Sequence, residues 1–439
     1  MTSVFRFPDW SSLSEAERLA AAAQCERRFA DLGQKLDAVE RIYAVDAPYE
    51  GPLCGLPYVA KDMFATGLSA PSWGCKAPRA SSLPRASLID RLQEAGALLL
   101  GTAVMTELAY EPSGVSWRTP KNPWRFDMIP GGSSSGSAIL VASGCCFAAL
   151  GSDTGGSVRI PAHCCGITAL KVGYGRLPLD GAMALAPSLD TAGIFARSAI
   201  DLALIWPSLS GEAAAPARRV RKGVLLQDTF DAAETEIASI LRGAIDVLAT
   251  GGITMTQISG FPEQADAHAL TVLQAEAARE HAALLDDPNM DATLRKRLRK
   301  GLAISDSELD SALAAREALC AQFLSEVFDE ADAVFLPVMP IKTPRVDEVD
   351  PASANFNPRT LYALSRFTRF VNYLGLPALA LPAGFDGRGM PVGLQIIGRP
   401  GSEATLIETG VTLQERTDWH GRVPTAVASW TADEAGSLK

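Results

Sequence analysis

Histidine is scarce in this chain: His163, His268, His281 and His420 are the only four in 439 residues, and they are scattered. Chemistry that depends on an imidazole base therefore has few candidates. There is no Cys-x-x-Cys, and His163 beside Cys164 lacks the paired spacing of a zinc site. Among eight cysteines, Cys145-Cys146 and Cys164-Cys165 are adjacent pairs inside apolar segments. Neighbouring cysteines do not form ordinary bridges with each other, so buried thiols in a reducing cytoplasm are the expected state. No metal and no cofactor is expected. Long apolar runs are missing too. Ala138 to Leu150, the most apolar stretch, contains Ser143 and Gly144 and is too short to span a bilayer. Met1 to Arg6 has no apolar run after its charge, so no signal peptide is expected and the protein should be soluble.

Long blocks of one charge are also absent. The net charge of −10 argues against a general nucleic-acid surface. The basic cluster Arg218-Arg219-Val220-Arg221-Lys222 precedes strand-like Gly223 to Leu226 and reads as a solvated strand entrance. With 47% hydrophobic residues there is ample material for a large core.

What is present alternates. Ser14-Glu15-Ala16-Glu17 has capping-box spacing and should open a helix to about Leu32, stopped by Gly33. A helix from about Ala86 to Ala95 leads through Gly96 into strand-like Ala97 to Gly101. The same order recurs at Ala233 to Ala249, Gly251-Gly252 and Ile253 to Ile258. Units of this kind imply an α/β layered sheet. Ala378 to Pro382 and Val392 to Ile397 flank Phe385-Asp386-Gly387-Arg388-Gly389, a hairpin signal that adds antiparallel strands. The expectation is one large α/β domain over residues 1–439, with a mixed, mostly parallel central sheet flanked by helices. Residues 268–327 should be helices outside the sheet, broken once at Asp287-Pro288-Asn289 and partly covering a site mouth. The tail after Trp419 should lie on the surface.

Two glycine-serine turns carry the chemistry. Pro130-Gly131-Gly132-Ser133-Ser134-Ser135-Gly136-Ser137 precedes a small, apolar stretch that should be a buried helix feeding a buried strand. The second turn is Asp153-Thr154-Gly155-Gly156-Ser157-Val158-Arg159-Ile160-Pro161. Upstream, Gly55-Leu56-Pro57-Tyr58-Val59-Ala60-Lys61-Asp62 sets one lysine in an otherwise apolar strand. A serine hydroxyl is a weak nucleophile until a base takes its proton. With imidazole scarce, a lysine can serve if burial disfavours its ammonium form.

In these three segments the chain resembles the amidase signature family. Ser135 stands where most members have glycine, and some small malonamidase-like members share the serine. Cys165-Gly166, Leu170-Lys171, Tyr174-Gly175-Arg176, Ser188-Leu189-Asp190 and Pro391 to Gln395 follow in the family's order. The resemblance is strong over about residues 50–200 and looser over 330–415. It implies an amidohydrolase acting on non-peptide carbon–nitrogen bonds through an acyl-enzyme. Ser157 would be the nucleophile, Ser133 the proton bridge following a cis Gly132–Ser133 bond, and Lys61 the ultimate base. The backbone N–H groups of Thr154, Gly155, Gly156 and Ser157 would form the oxyanion hole, and Met105, Gly131 and Gly132 would touch substrate. Arg159 and Asp190 should form scaffolding ion pairs, with gripping a substrate carboxylate left open for Arg159. Selectivity should come from the loops Met105 to Trp117 and Asp180 to Pro187 and from the helical middle segment. The partner implied is a small-molecule amide, with a homodimer left open and neither nucleic acid nor membrane expected.

Three alternatives stay in view. Gly132 to Gly136 fits the Gly-x-Ser-x-Gly nucleophile elbow of α/β-hydrolases, with Ser134 as nucleophile and His281 or His420 downstream. Its flank Asp127 to Pro130 is a poor strand, and the second turn would go unexplained. The family also contains the glutaminase subunit of a tRNA-dependent amidotransferase, which works with partner chains. An anion-binding loop would need the Gly-Lys-Ser/Thr ending that is missing here.

Overall fold

The computed structural model describes residues 8–43, 50–76, 82–212 and 218–430. Met1 to Arg6 and the segment after Trp430 lie outside the described residues. Eleven strands among these form one sheet: β1 Val39–Ile42, β2 Pro57–Lys61, β3 Leu98–Ala103, β4 Ala148–Asp153, β5 Thr168–Lys171, β6 Thr191–Ala196, β7 Lys222–Leu226, β8 Thr254–Ile258, β9 Ala333–Pro337, β10 Ala378–Phe385 and β11 Pro391–Gly398. Their spatial order is β1-β3-β2-β4-β6-β5-β10-β11-β9-β7-β8.

The sheet is mixed, flanked by helices, as the alternating units lead one to expect. Parallel pairing is concentrated in two blocks, β2 with β3 and β4, and β7 with β8 and β9. Between them β4, β6, β5, β10, β11 and β9 pair antiparallel. Parallel neighbours need helical crossovers, whereas the β10–β11 hairpin turns on Asp386 to Met390. The parallel expectation therefore describes the two blocks rather than the middle.

Every residue of β2, β3 and β4 is buried, which requires cover on both faces. One cover is the helix Ser135–Ala142, all eight of whose residues are buried, so it lacks the polar stripe of a surface helix. The first long helix, Glu15–Arg28, opens with the expected capping box between Ser14 and Glu17, and irregular helix continues to Gly33. No helix among the described residues is long and apolar enough to cross a membrane. None of the eight cysteines is in a disulfide, and six are buried. Arg218 and Arg219 stay exposed, 83% and 80%, facing Asp332 and Glu408, as a solvated strand entrance should.

Two expectations need correction. The middle segment is broken more than once: its helices are Glu263–Glu280, Ala292–Gly301, Asp306–Ala314 and Arg316–Phe328. Asp291 caps the second through the Thr293 and Leu294 N–H groups, and Ser305 caps the third in a box with Glu308. Each cap restarts a helix that apolar periodicity alone would run through. The described part of the tail, residues 420–430, is packed against the body rather than merely lying on the surface. Residues 425–430 are helical, with Val427 and Trp430 buried. Arg28 sits 5.4 Å over the Trp430 ring, and Ala426 donates to the Pro123 carbonyl. Two large apolar side chains outweigh the weak periodicity there.

Candidate active site

β2 ends in Lys61 and runs beside β4, with Ala60 opposite Leu150. That register brings the strand end to both glycine-serine turns. Lys61 is fully buried, and its Nζ lies 2.7 Å from Ser133 Oγ and 2.8 Å from Ser152 Oγ. Burial pulls the ammonium down to about 7, against the opposing pull of Asp190 and Asp153. A neutral amine has two N–H donors and one lone pair. One hydroxyl can accept from Lys61 while the other donates to the lone pair. Ser152 thus orients the amine that meets Ser133.

Ser133 itself is fully buried and follows a cis Gly132–Ser133 peptide bond. Ser134 N–H donates to the Ser157 carbonyl at 3.3 Å, tying the two turns together. Of the three residues, Ser157 is the one that reaches an open cleft, at 8% exposure.

The second turn is shaped from within by Asp153. Its carboxylate accepts from Gly156 N–H at 2.8 Å, from Val158 N–H at 3.1 Å, and from Arg159 Nε and Nη2 at 3.0 and 2.8 Å. Burial alone would raise this carboxyl, yet the Arg159 charge and these donors hold it well below the usual range. The backbone at Gly156 has φ +130°, and a Cβ there would stand 2.4 Å from Thr368 Oγ1, so glycine is required. Gly156 N–H donates to Asp153, whereas the N–H groups of Thr154, Gly155 and Ser157 meet no acceptor among the described residues.

Arg159 is fully buried, and all five of its N–H donors are engaged. Beyond Asp153 it donates to the Thr368 carbonyl at 2.9 Å, to Gln395 Oε1 at 2.6 Å and to Asn372 Oδ1 at 2.5 Å. The ion pair with Asp153 is the scaffolding role anticipated for it, with no donor left for a substrate carboxylate. Asp190 differs from expectation, since it forms no ion pair among the described residues. It accepts from Thr154 Oγ1 at 2.6 Å and from the Leu185 and Ala186 N–H groups. Burial raises its carboxyl to about 6.

The cleft is open to solvent, and roughly 800 Å³ of atom-free space, the solvent at its mouth included, lies within it. Thr154, Gly155 and Ser157 line it, and Ala109, Tyr110, Pro112, Leu185, Leu273 and Arg297 come from the three segments expected to set selectivity. Met105, Gly131 and Gly132 do not line this cleft. Met105 is 3% exposed. A Cβ on Gly131 would meet Pro161 at 2.7 Å, and one on Gly132 the Glu111 carbonyl at 2.6 Å. These glycines permit close backbone packing.

Sequence reasoning missed Ser152, Thr368, Asn372 and the wall Leu361, Tyr362, Ser365 and Arg369. For Ser152 a signal existed, a lone hydroxyl directly after the apolar run Ala148 to Gly151. The elbow alternative fails on geometry. Ser134 is fully buried, donates to the Ser152 carbonyl at 3.3 Å and follows no strand. His163 is also buried, lowered to about 4 by that burial, and accepts from Gly393 N–H.

Comparison with known proteins bears on the family and the fold. The sequence profile of the amidase family matches residues 16–407. A glutamyl-tRNA(Gln) amidotransferase subunit from Halorhodospira halophila is 34% identical over 417 residues, covering 85% of this chain and 86% of its own. The 2-amino-5-chloromuconic acid deaminase of Comamonas testosteroni is 34% identical over 381 residues, covering 81% and 80%. A crystal structure of an amidase superposes with a TM-score of 0.81 at 31% identity, covering 91% of this chain and 96% of that one.

Proposed function

The chain belongs to the amidase family, and from that premise we propose that it hydrolyses a small-molecule amide through Ser157, Ser133 and Lys61, releasing ammonia or an amine. Enzymes of this kind act on carbon–nitrogen bonds other than peptide bonds. The observation that carries the assignment is the buried Lys61 amine, 2.7 Å from Ser133 Oγ and lowered to about 7.

The neutral lysine accepts the Ser133 proton as Ser133 takes the proton of Ser157. Ser157 Oγ then attacks the amide carbon, and negative charge moves onto the carbonyl oxygen. The Thr154, Gly155 and Ser157 N–H groups are the donors for that oxygen; each such donor typically contributes ~2.7–4 kcal/mol. Collapse breaks the C–N bond, and the proton returns through Ser133 to the leaving nitrogen. Water, activated along the same path, releases the carboxylate and restores Ser157. Asp153 and Arg159 touch no reacting atom in this scheme and hold the turn in place.

A panel of aliphatic, aryl and dicarboxylic amides assayed for ammonia release by the purified chain alone tests the proposal. Release without added partners is expected. Release only with partner chains would favour the second reading, a glutaminase-type component of an amidotransferase, which the 34% identity to one such protein supports.

Ser133→Ala should lower kcat/KM by ~10²–10⁴-fold, the usual range for a lost proton-transfer group. Labelling of Ser157 by an acylating ester should slow in parallel, because acylation uses the same relay. Rates equal to the parent enzyme would remove Ser133 from the mechanism.

A further inference from the structure

Every ionised side chain on the wall of the Ser157 cleft is a cation: Arg297, Lys300 and Arg369 line it, and no aspartate or glutamate does. Two of the three are neutralised from behind. Arg297 is paired with Glu111, and Arg369 Nε lies 2.7 Å from Asp266 Oδ1. Lys300 is different. It is exposed, and no hydrogen bond, ion pair or ring contact is recorded for its ammonium among the described residues.

Lys300 stands at the end of the helix Ala292–Gly301, which carries Arg295, Lys296, Arg297, Arg299 and Lys300 and no acid. In a chain of net charge −10 this is a local reversal of sign. A solvated basic face is the ordinary explanation of such a helix, and it suffices for Lys296 and Arg299, which are not on the cleft wall. It does not suffice for Lys300. There an uncompensated charge faces a concave space that also holds Ser157 and the apolar side chains of Leu185, Leu270, Leu273 and Leu361. Cavities lined by one sign of charge concentrate ligands of the other.

We infer that the substrate is a primary amide whose acyl chain ends in a carboxylate, a short hydrocarbon separating it from the reacting carbonyl, and that Lys300 is the counter-charge for that carboxylate. The inference rests on Ser157 being the acylated residue. Because the leaving group of a primary amide is ammonia, the anion must belong to the acyl portion. It stays in the cleft through the acyl-enzyme, and the product of hydrolysis is a dicarboxylate. The apolar wall suits the intervening methylene or vinyl carbons, which need no hydrogen-bond partner.

The test compares monoamides of four- to six-carbon dicarboxylic acids with neutral alkyl amides of the same length. The parent enzyme should favour the carboxylated member at least tenfold in kcat/KM. Lys300→Glu should reduce that preference roughly tenfold or more, mainly through KM, and added salt should shrink it. Lys296→Glu makes the same charge change on the same helix outside the cleft and should leave the preference in place. Preference for the neutral amide, or equal effects of the two substitutions, would overturn the inference. A second measurement is independent of turnover: calorimetric binding of the matching dicarboxylate should weaken roughly tenfold in Lys300→Glu. Lys300-dependent dicarboxylate binding without hydrolysis of any amide would sustain the anion site and defeat the amidase mechanism. Hydrolysis with no preference, or dicarboxylate binding indifferent to Lys300, would do the reverse.

Discussion

Ser157→Ala is expected to abolish turnover, a loss of ~10⁴-fold or more, because no neighbouring group can take the place of the acylated oxygen. Labelling gives the same answer without a known substrate. A fluorophosphonate should attach to Ser157 of the parent enzyme with loss of fluoride, and leave the alanine variant unmodified. Ser157 is the serine of the site that reaches the cleft, while Ser133 and Ser134 are fully buried. A label on Ser134, with activity intact in Ser157→Ala, would sink the assignment.

Lys61→Ala is expected to cost ~10²–10⁴-fold in kcat/KM while circular dichroism shows the fold retained. The pH profile discriminates further. Burial places the Lys61 titration near 7 rather than 10.5, so the neutral, proton-accepting form dominates above about pH 7. Activity should therefore climb through about pH 7 and level off above it, with the ammonium form inactive below. Lys61→Arg is the sharper variant, since guanidinium keeps its proton at any working pH and cannot accept another. Substantial activity in Lys61→Arg, or a flat profile between pH 6 and 8, would exclude the lysine as base.

The local parts of this protein were legible in its residues. The capping box at Ser14, the apolar run before Lys61 and the small-residue helix before β4 each announced their conformations, because each depends on neighbours a few positions away. Strand order was not legible, since it is decided by pairings between distant segments, such as β5 with β10. The two turns drew attention to Ser133 and Ser157 through their glycines, and an apolar run drew attention to Lys61. They did not reveal Ser152, whose contact with Lys61 arises only when β2 and β4 lie side by side. The wall from Leu361 to Arg369 escaped for another reason. It is built on the short helices Pro358–Ala363 and Arg369–Tyr373, too brief to show a period. Nor could spacing show that Gly156 turns its N–H toward Asp153, which is a matter of one φ angle.

The arginine sealed beneath the second turn has a consequence for when the enzyme can come into being during synthesis. Arg159 takes its remaining partners from Thr368, Asn372 and Gln395, which follow it by 209, 213 and 236 positions. A nascent chain that has passed Arg159 already holds Lys61, Ser133 and Ser157, yet its guanidinium still faces vacant places where those three acceptors belong. Closing loops of that length is entropically slow and cannot precede the emergence of β11 from the ribosome. Competence should therefore arrive late and all at once, and a polypeptide cut short before Gln395 should carry all three proposed catalytic residues and be inert.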